Sequence, residues 1–331
     1  MSEVKFRKGT VSKRADRIKS FISPCAGSFS SLVQLSSIFV DKTLLIQDFY
    51  QGRNTHILLT LPRCMGKTTA LTMCADFFSN LDTDINRQHS KRKSFRKVNI
   101  RAPTLIMNEE AFVKENMGAW PTIMFSLKYV VGKTKEAVLD SLRVQLAAQF
   151  ERHEYLHEWL EKDKGIASKH KANVYLKYCK MDINEAEAIR GLQVLINHLH
   201  NHYKKRVILF VDDYDVPWTW SSDLRSQTES DQVHTFIYQF LLMTFSEQDR
   251  CIHRSIVAGS YRVASEQFDN NRLNLKHLTA IGNPLAKYFG FIEEEFHALC
   301  ESYKVSPEHR EVAKAYYNGL PIFHPNSTVE F

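Results

Sequence analysis

Two stretches of this chain carry residue types suited to phosphate chemistry. The first is "TLPRCMGKTT", residues 60–69. Backbone N–H groups at a helix N-terminus, with the helix dipole behind them, hold phosphate oxygens. In such a loop Gly66 lets the backbone approach closely, Lys67 reaches the outer phosphates, and Thr68 sets its hydroxyl on Mg²⁺. The usual spacing, G-x-x-x-x-G-K-[ST], asks for glycine at position 61, where this chain has Leu61 followed by Pro62. Gly-Lys-Thr alone is a common tripeptide. Gly132-Lys133-Thr134 repeats it after another apolar run and before another helical stretch, so it is a rival site.

The second stretch is "VILFVDD", Val207 to Asp213. A nucleotide site of this kind needs a strand whose terminal carboxylate holds the Mg²⁺ shell, and in ATPases the next acid often activates the attacking water. Asp212 fits the first role and Asp213 the second. An Asp pair also ends ordinary strands in solvated turns. The loop and the acids lie roughly 145 residues apart, separated by another strand and helices, as a sheet-based site requires. That pairing selects the loop at 61–68 over the one at 132–134, because a strand earlier in the chain leaves room for the remaining elements.

The elements that must position these residues follow from periodicity. "ILLT" (57–60) reads as a buried strand, and 68–78 as a helix with Leu71, Cys74, Ala75 and Phe78 on one face. Residues 81–118 read as a long polar connection with little regular structure. A strand is expected at 121–127, one helix over 135–160, another over 183–203 capped by Asp182 or Asn184, a strand at 206–213, a helix at 233–245 and a strand at 255–260. Near-continuous apolar strands alternating with helices predict an α/β fold, a mostly parallel sheet with helices on both faces.

Composition narrows the remaining classes. The net charge is +7 with 14 histidines and six cysteines, and the pI is about 9.0. The cysteines have neither paired nor metal-ligand spacing, which points to a reducing compartment, cytoplasmic or nuclear. No apolar run approaches the roughly 18 residues that cross a bilayer, so no membrane partner is expected. The basic N-terminus lacks the apolar core of a secretory signal; it reads as a solvated tail, with an organellar address as the alternative. The run "KRKSFRK" (91–97) reads as a solvated loop or localisation signal; its alternative, contact with a nucleic-acid backbone, has only Phe95 to stack on a base. In "HLHNHY", His198, His200 and His202 point to different faces of a helix and read as a solvated helix end.

Beyond these motifs the chain resembles a known family. "FVDKT" (39–43), "LPRCMGKT" (61–68) and "LFVDDYDVP" (209–217) are similar to the "YVDKT", "RPRRFGKS" and "LIDEYDVP" stretches of the AAA-ATPase-like family. "GSYRV" (259–263), "YFGFIEEE" (288–295) and "YYNG" (316–319) resemble its "GILRIS", "YFGFTEEE" and "WYNGY". The order is preserved over roughly residues 30 to 328. The family's loop also opens with Pro-Arg and no glycine, so Pro62 and Arg63 are shared traits.

The resemblance implies a P-loop NTPase three-layer sandwich with an added acid-bearing strand between the loop strand and its neighbours, plus a small helical C-terminal segment. It implies ATP and Mg²⁺ as ligands. The expected division is a basic arm at 1–30, the NTPase domain at 31–285 and a short helical, truncated lid segment at 286–331. A nuclease domain of the PD-(D/E)XK type follows the module in many members and is expected to be missing here. Nucleotide contacts are assigned to Pro62, Arg63, Cys64, Met65, Gly66, Lys67, Thr68 and Thr69, metal contacts to Thr68 and Asp212, and catalysis to Asp213 and Arg262. Arg262 is a γ-phosphate sensor or an ordinary ion-pair partner, and Arg63 has the same two readings, tilted to phosphate by the family pattern. Asp41 and Lys42 read as a structural ion pair near the adenine side, and Asp215 as ordering the turn before Pro217.

Three departures from the family stand out. Asp213 replaces a glutamate, Cys64 replaces a second arginine, and the segment around 317–321 is shortened. A carboxylate one methylene shorter sits further from the water, and small misplacements are costly. The expected function is therefore a slow Mg-dependent ATPase, or alternatively a nucleotide-gated binding or scaffold module with little hydrolysis, with nucleic acid and a further copy of the chain as open partner classes.

Overall fold

The computed structural model describes residues 7–8, 27–35, 38–80, 95, 104–162, 165–221, 226–246, 248–263, 272–281, 283–317, 322–324 and 327–329. Its centre is a five-stranded sheet of β3 (His56–Thr60), β4 (Thr122–Ser126), β5 (Val207–Asp212), β6 (Ile252–Gly259) and β7 (Lys276–Leu278), ordered β4-β5-β6-β3-β7. Every neighbouring pair is parallel. Two small antiparallel pairs lie outside it: β1 (Arg7–Lys8) with β2 (Ile38–Phe39), and β8 (Ile322–His324) with β9 (Ser327–Val329).

Alternation along the strands explains the layers, because successive side chains point to opposite faces. Ile57, Leu59, Ile208 and Phe210 enter one core, with helices α1 (Phe29–Leu35), α2 (Leu45–Gln51), α3 (Lys67–Phe78) and α4 (Glu110–Asn116) over it. Leu58, Leu209 and Val211 enter the other core. That side is covered by α5 (Lys135–Arg152), α6 (Tyr155–Lys162), α7 (Ile166–Cys179), α8 (Glu185–Ile189), α9 (Gly191–Tyr203), α10 (Val216–Ser221) and α11 (Gln227–Phe245). All six residues of β5 are buried. Full burial of one large apolar side chain is worth roughly 1.5–3 kcal/mol, so the strand holds its acidic end firmly. The C-terminal helices are α12 (Glu293–Ser302) and α13 (Pro307–Tyr317).

Several expectations are corrected. The helix expected over 135–160 is two, broken at His153 and Glu154, because the Tyr175 hydroxyl shares its proton between the Phe150 and His153 carbonyls at 2.7 and 2.8 Å. The helix expected over 183–203 breaks at Arg190, after Tyr178 donates to the Glu187 carbonyl at 2.8 Å. Asn184, not Asp182, is its cap, in a reciprocal capping box with Glu187. The connection at 81–118 carries a 3₁₀ turn at Leu105–Asn108 and α4; most of 81–103 lies outside the described residues. Phe95 within it is fully buried, stacked on Phe29 with centroids 4.9 Å apart, and is not free to stack on a base. The lysines and arginines of 91–97 lie outside the described residues, as does most of the 1–30 arm, although Phe29 already belongs to the core.

The strand interposed next to the loop strand also differs from expectation. β6 lies between β3 and β5 and carries no acid, so the acid-bearing strand sits one place further out. The chain leaves β3 to one face through α3 and leaves β4 and β5 to the other through α5 and α11. Connections that diverge in this way open a crevice at the carboxyl ends of the strands.

Candidate functional site

The crevice opens where β3 ends. Leu61 donates its N–H to the Gly259 carbonyl at 3.1 Å and is buried, so it extends the strand and plugs the core where the usual loop has glycine. The loop then turns through two left-handed residues, Cys64 (φ 65°) and Gly66 (φ 77°), into α3. Left-handed backbone costs an ordinary L-residue roughly 1–2 kcal/mol, which glycine avoids. Among the described residues no acceptor is found for the amides of Arg63 to Thr69, and the first helical bond runs from Ala70 N–H to the Gly66 carbonyl at 2.9 Å. This row of donors at the N-terminus of a twelve-residue helix has the geometry that suits an anion.

Lys67 is buried, and its ammonium donates to the Leu61 and Pro62 carbonyls, both at 2.8 Å, and to Ser260 Oγ at 3.3 Å. Burial pulls its pKa down, against the opposing pull of Asp215, Asp212 and Asp213. Thr68 donates its hydroxyl to Asp212 Oδ2 at 2.6 Å, a contact that closes across the interposed β6. Asp212 is 1% exposed, and its other oxygen, Oδ1, has no partner. Burial pushes its carboxyl up to about 6, although the Thr68 hydroxyl opposes the shift. An orphaned, buried carboxylate oxygen beside a threonine hydroxyl is a donor set that fits Mg²⁺, which takes one or two carboxylates and completes its shell with water and phosphate. Among the described residues no group of three or more His, Cys, Asp or Glu is gathered for a metal. In particular His198 is buried against the Tyr175 ring, and the half-buried His202 packs on Tyr155 and Trp159, so these two histidines do not lie on a solvated helix end.

Asp213 follows in a left-handed conformation, φ 53°. Aspartate is several-fold enriched there among non-glycine residues, so the backbone gives a local reason for Asp213 where the resembled motif has glutamate. Burial and then Asp215 push its carboxyl up, while Lys128, Lys67 and Arg63 pull it down. Arg63 and Cys64 are exposed at the lip of the loop, Met65 is half-buried, and Thr69 continues the first turn of α3. Arg262 is exposed just beyond β6 and makes no hydrogen bond or ion pair among the described residues; its charge reaches Tyr214 and His277.

Other readings change. Asp215 does not order the turn before Pro217 with its side chain: Oδ2 accepts the N–H groups of Ser260 and Tyr261 at 2.9 and 3.0 Å and fixes the end of β6. Asp41 and Lys42 do not pair with each other. Asp41 accepts from Thr43 and from the Leu105 N–H, and Lys42 bonds Glu295 at 2.6 Å and the Lys287 carbonyl at 2.8 Å. The C-terminal segment thereby reaches the loop, with Gly290 N–H donating to the Met65 carbonyl at 3.0 Å. Ser260, Gly290 and Glu295 were not singled out as site residues, because each partner lies far away in sequence.

The rival Gly-Lys-Thr is built differently. Lys133 is exposed, and the Thr134 hydroxyl accepts from Ala137 N–H at 3.2 Å as the cap of its own helix.

Comparison with known proteins gives one match. The AAA-ATPase-like family, described as a predicted AAA-ATPase, matches residues 25–268. No curated protein and no solved structure matches the chain. Among the described residues no helix is long and apolar enough to cross a membrane.

Proposed function

The chain belongs to the AAA-ATPase-like family of predicted AAA-ATPases, and on that premise we propose that it binds ATP with Mg²⁺ and hydrolyses it slowly. The observation that carries this reading is the 2.6 Å contact from Thr68 to Asp212 beside the unpartnered Asp212 Oδ1. The amides of 63–69 and Lys67 take the terminal phosphates, with Arg63 at the lip adding charge. Thr68 and Asp212 hold the metal. Bound Mg²⁺ would neutralise charge that develops on the phosphate oxygens. Asp213 orients the attacking water, and Arg262, free to swing over the site, is the candidate sensor of the terminal phosphate. The test is binding and turnover of Mg-ATP and Mg-GTP by the wild type and by Lys67→Ala. Wild-type protein that binds neither nucleotide, or a variant that binds as well as the wild type, sinks the proposal.

A second reading, a nucleotide-gated binding module with little hydrolysis, is favoured by the short Asp213 side chain on its left-handed backbone. Asp213→Asn keeps that backbone preference and removes the charge. Turnover abolished by this change with binding retained supports the ATPase; wild-type binding with no turnover to abolish supports the second reading.

A further inference from the structure

Because the sheet is parallel, the loops that leave β3, β4, β5 and β6 all emerge on one rim, around the crevice. Their described residues, 61–66, 127–134, 213–221 and 260–263, contain Arg63, Lys128, Lys133 and Arg262 against Asp213 and Asp215. Asp215 is buried and bonded to two amides, so among these described residues four cations face the one accessible carboxylate of Asp213. The same loops hold three large aromatic side chains in solvent: Tyr129 is 62% exposed, Trp220 49% and Tyr261 55%.

These rings are held out on fixed backbone. Leu127 and Val130 are fully buried and joined by a hydrogen bond of 3.0 Å, so the Lys128–Tyr129 pair between them projects outward. Lys128 Nζ lies 5.5 Å from the centroid of the Tyr129 ring. Tyr261 is pinned at both backbone groups: its N–H goes to Asp215, and its carbonyl accepts the Tyr214 hydroxyl at 2.7 Å. Trp220 stands outward on α10, whose Trp218 and Ser221 are buried. Large rings on rigid supports are idle for folding; burial would have stabilised the fold, and these are left in water.

We propose that this rim, beside the nucleotide site, is a docking surface for single-stranded nucleic acid, with Tyr129, Trp220 and Tyr261 stacking on bases and Lys128 and Lys133 neutralising the backbone. Single strands expose the base faces that such rings need, and stacking is worth roughly 1–3 kcal/mol per base. A duplex hides those faces. None of these residues belongs to the basic run at 91–97, whose one aromatic residue, Phe95, is in the core.

The test is fluorescence anisotropy of the full chain with labelled oligothymidylate and oligouridylate of roughly 20 nucleotides, longer than the ~4–16 that one groove covers. The wild type binds both in a salt-dependent manner and more tightly than a duplex of the same length. The doubly substituted Tyr129→Ala/Tyr261→Ala chain binds about 10-fold or more weakly, and Lys128→Ala/Lys133→Ala flattens the salt dependence by about 0.7 per lost contact. Both pairs sit on exposed positions, and an unchanged thermal melt shows that the fold is kept. Lys67→Ala leaves oligonucleotide binding intact, which separates this result from failure of the nucleotide site. The proposal is overturned by absent binding at low salt, by affinity that the tyrosine pair does not affect, by preference for the duplex, or by tyrosine-dependent binding to phosphatidylserine vesicles in place of oligonucleotides.

Discussion

The chain contains Gly-Lys-Thr twice, and the two copies do unlike work. Both follow a strand of the same parallel sheet and precede a helix on the same rim. At 66–68 the glycine is needed for its left-handed backbone; an added Cβ there meets nothing within 4 Å. At 132–134 the glycine is needed for space, since a Cβ would lie 2.6 Å from that of Ala137. Thr68 turns to Asp212 across the sheet, while Thr134 turns back to its own helix. The tripeptide is therefore neutral about chemistry. What decides is the place in the strand order: β3 leads to α3 on one face and looks across β6 at the carboxylate of β5, whereas β4 is the edge strand and its helix starts on the other face.

The sharpest way to break that contrast is to remove each lysine. Lys67→Ala loses a buried cation with three donors, and charge-assisted hydrogen bonds are worth about 1.5–3 kcal/mol, so Mg-ATP affinity falls by roughly 100-fold in titration calorimetry. Lys133→Ala leaves it within about 2-fold, because that ammonium is exposed beside no carboxylate of the site. Equal losses in both variants would erase the distinction.

Acid sharpens the contrast from the scaffold side. The helix opened by the second Gly-Lys-Thr ends at His153, which is fully buried, with Nδ1 3.0 Å from the Tyr155 hydroxyl. Burial, with the nearby Arg152 charge, depresses its pKa from 6.5 to about 3. The folded value lies below the unfolded one, so this contribution is intact above about pH 6.5 and is lost as pH falls toward 3. At pH 5 the loss from this residue is about 2 kcal/mol. Urea unfolding at pH 7 and pH 5 should therefore show a pH difference that is smaller by about that amount in His153→Gln; an unchanged difference refutes the assignment.

How far these two regions could be read in the sequence follows from the range of the interactions. β3, β5 and the second half of β6 were legible because burial on both faces leaves an apolar run ending in the residues that matter; the start of β6 at Ile252–Arg254 was not, since His253 and Arg254 are polar and half-buried. β7 was not, since three edge residues, Lys276–Leu278, carry no pattern. The helix at 166–179 was missed because its buried residues are Ala172, Tyr175 and Tyr178 in a lysine-rich setting. Thr68 and Asp212 could be paired through their motifs, but Asp215 with Ser260 and Gly290 with Met65 could not, as each bond joins residues that no local spacing relates. The family resemblance did select "YFGFIEEE", without saying that its Gly290 rests on the loop after β3 and its Glu295 on Lys42.

Exchanging the glycines separates backbone from space. Gly66→Ala forces a left-handed alanine, at roughly 1–2 kcal/mol, and relaxation of the loop weakens Mg-ATP binding about 10-fold. Gly132→Ala pushes a methyl against the Ala137 carbonyl carbon and the Val138 nitrogen, both at 2.8 Å. It lowers stability by about 1–3 kcal/mol, with nucleotide affinity of the folded protein unchanged. Reversal of that pattern would mean the second loop is the site.

The smallest effect discriminates most finely. Thr134 has the extended backbone of an N-cap, φ −137° and ψ 160°, and its oxygen accepts from Ala137 N–H at 3.2 Å. Removing such a cap costs about 1 kcal/mol. The bond is long, and the ion pair of Lys135 with Glu185 at 2.6 Å still ties the first turn of the helix to α8, so Thr134→Ala falls at the lower end and shifts the melting temperature by about 2 °C. Thr134→Ser keeps the oxygen and recovers most of it. Thr68→Ala moves the other readout: α3 has no side-chain cap to lose, but Asp212 loses the bond from the threonine hydroxyl, so Mg²⁺-dependent nucleotide binding falls, and the loss of that partner at a buried carboxylate costs about 1 kcal/mol or more of stability besides. A melting shift at Thr68 with no loss of binding, or a binding loss at Thr134, would show that the hydroxyls are not divided between chemistry and capping.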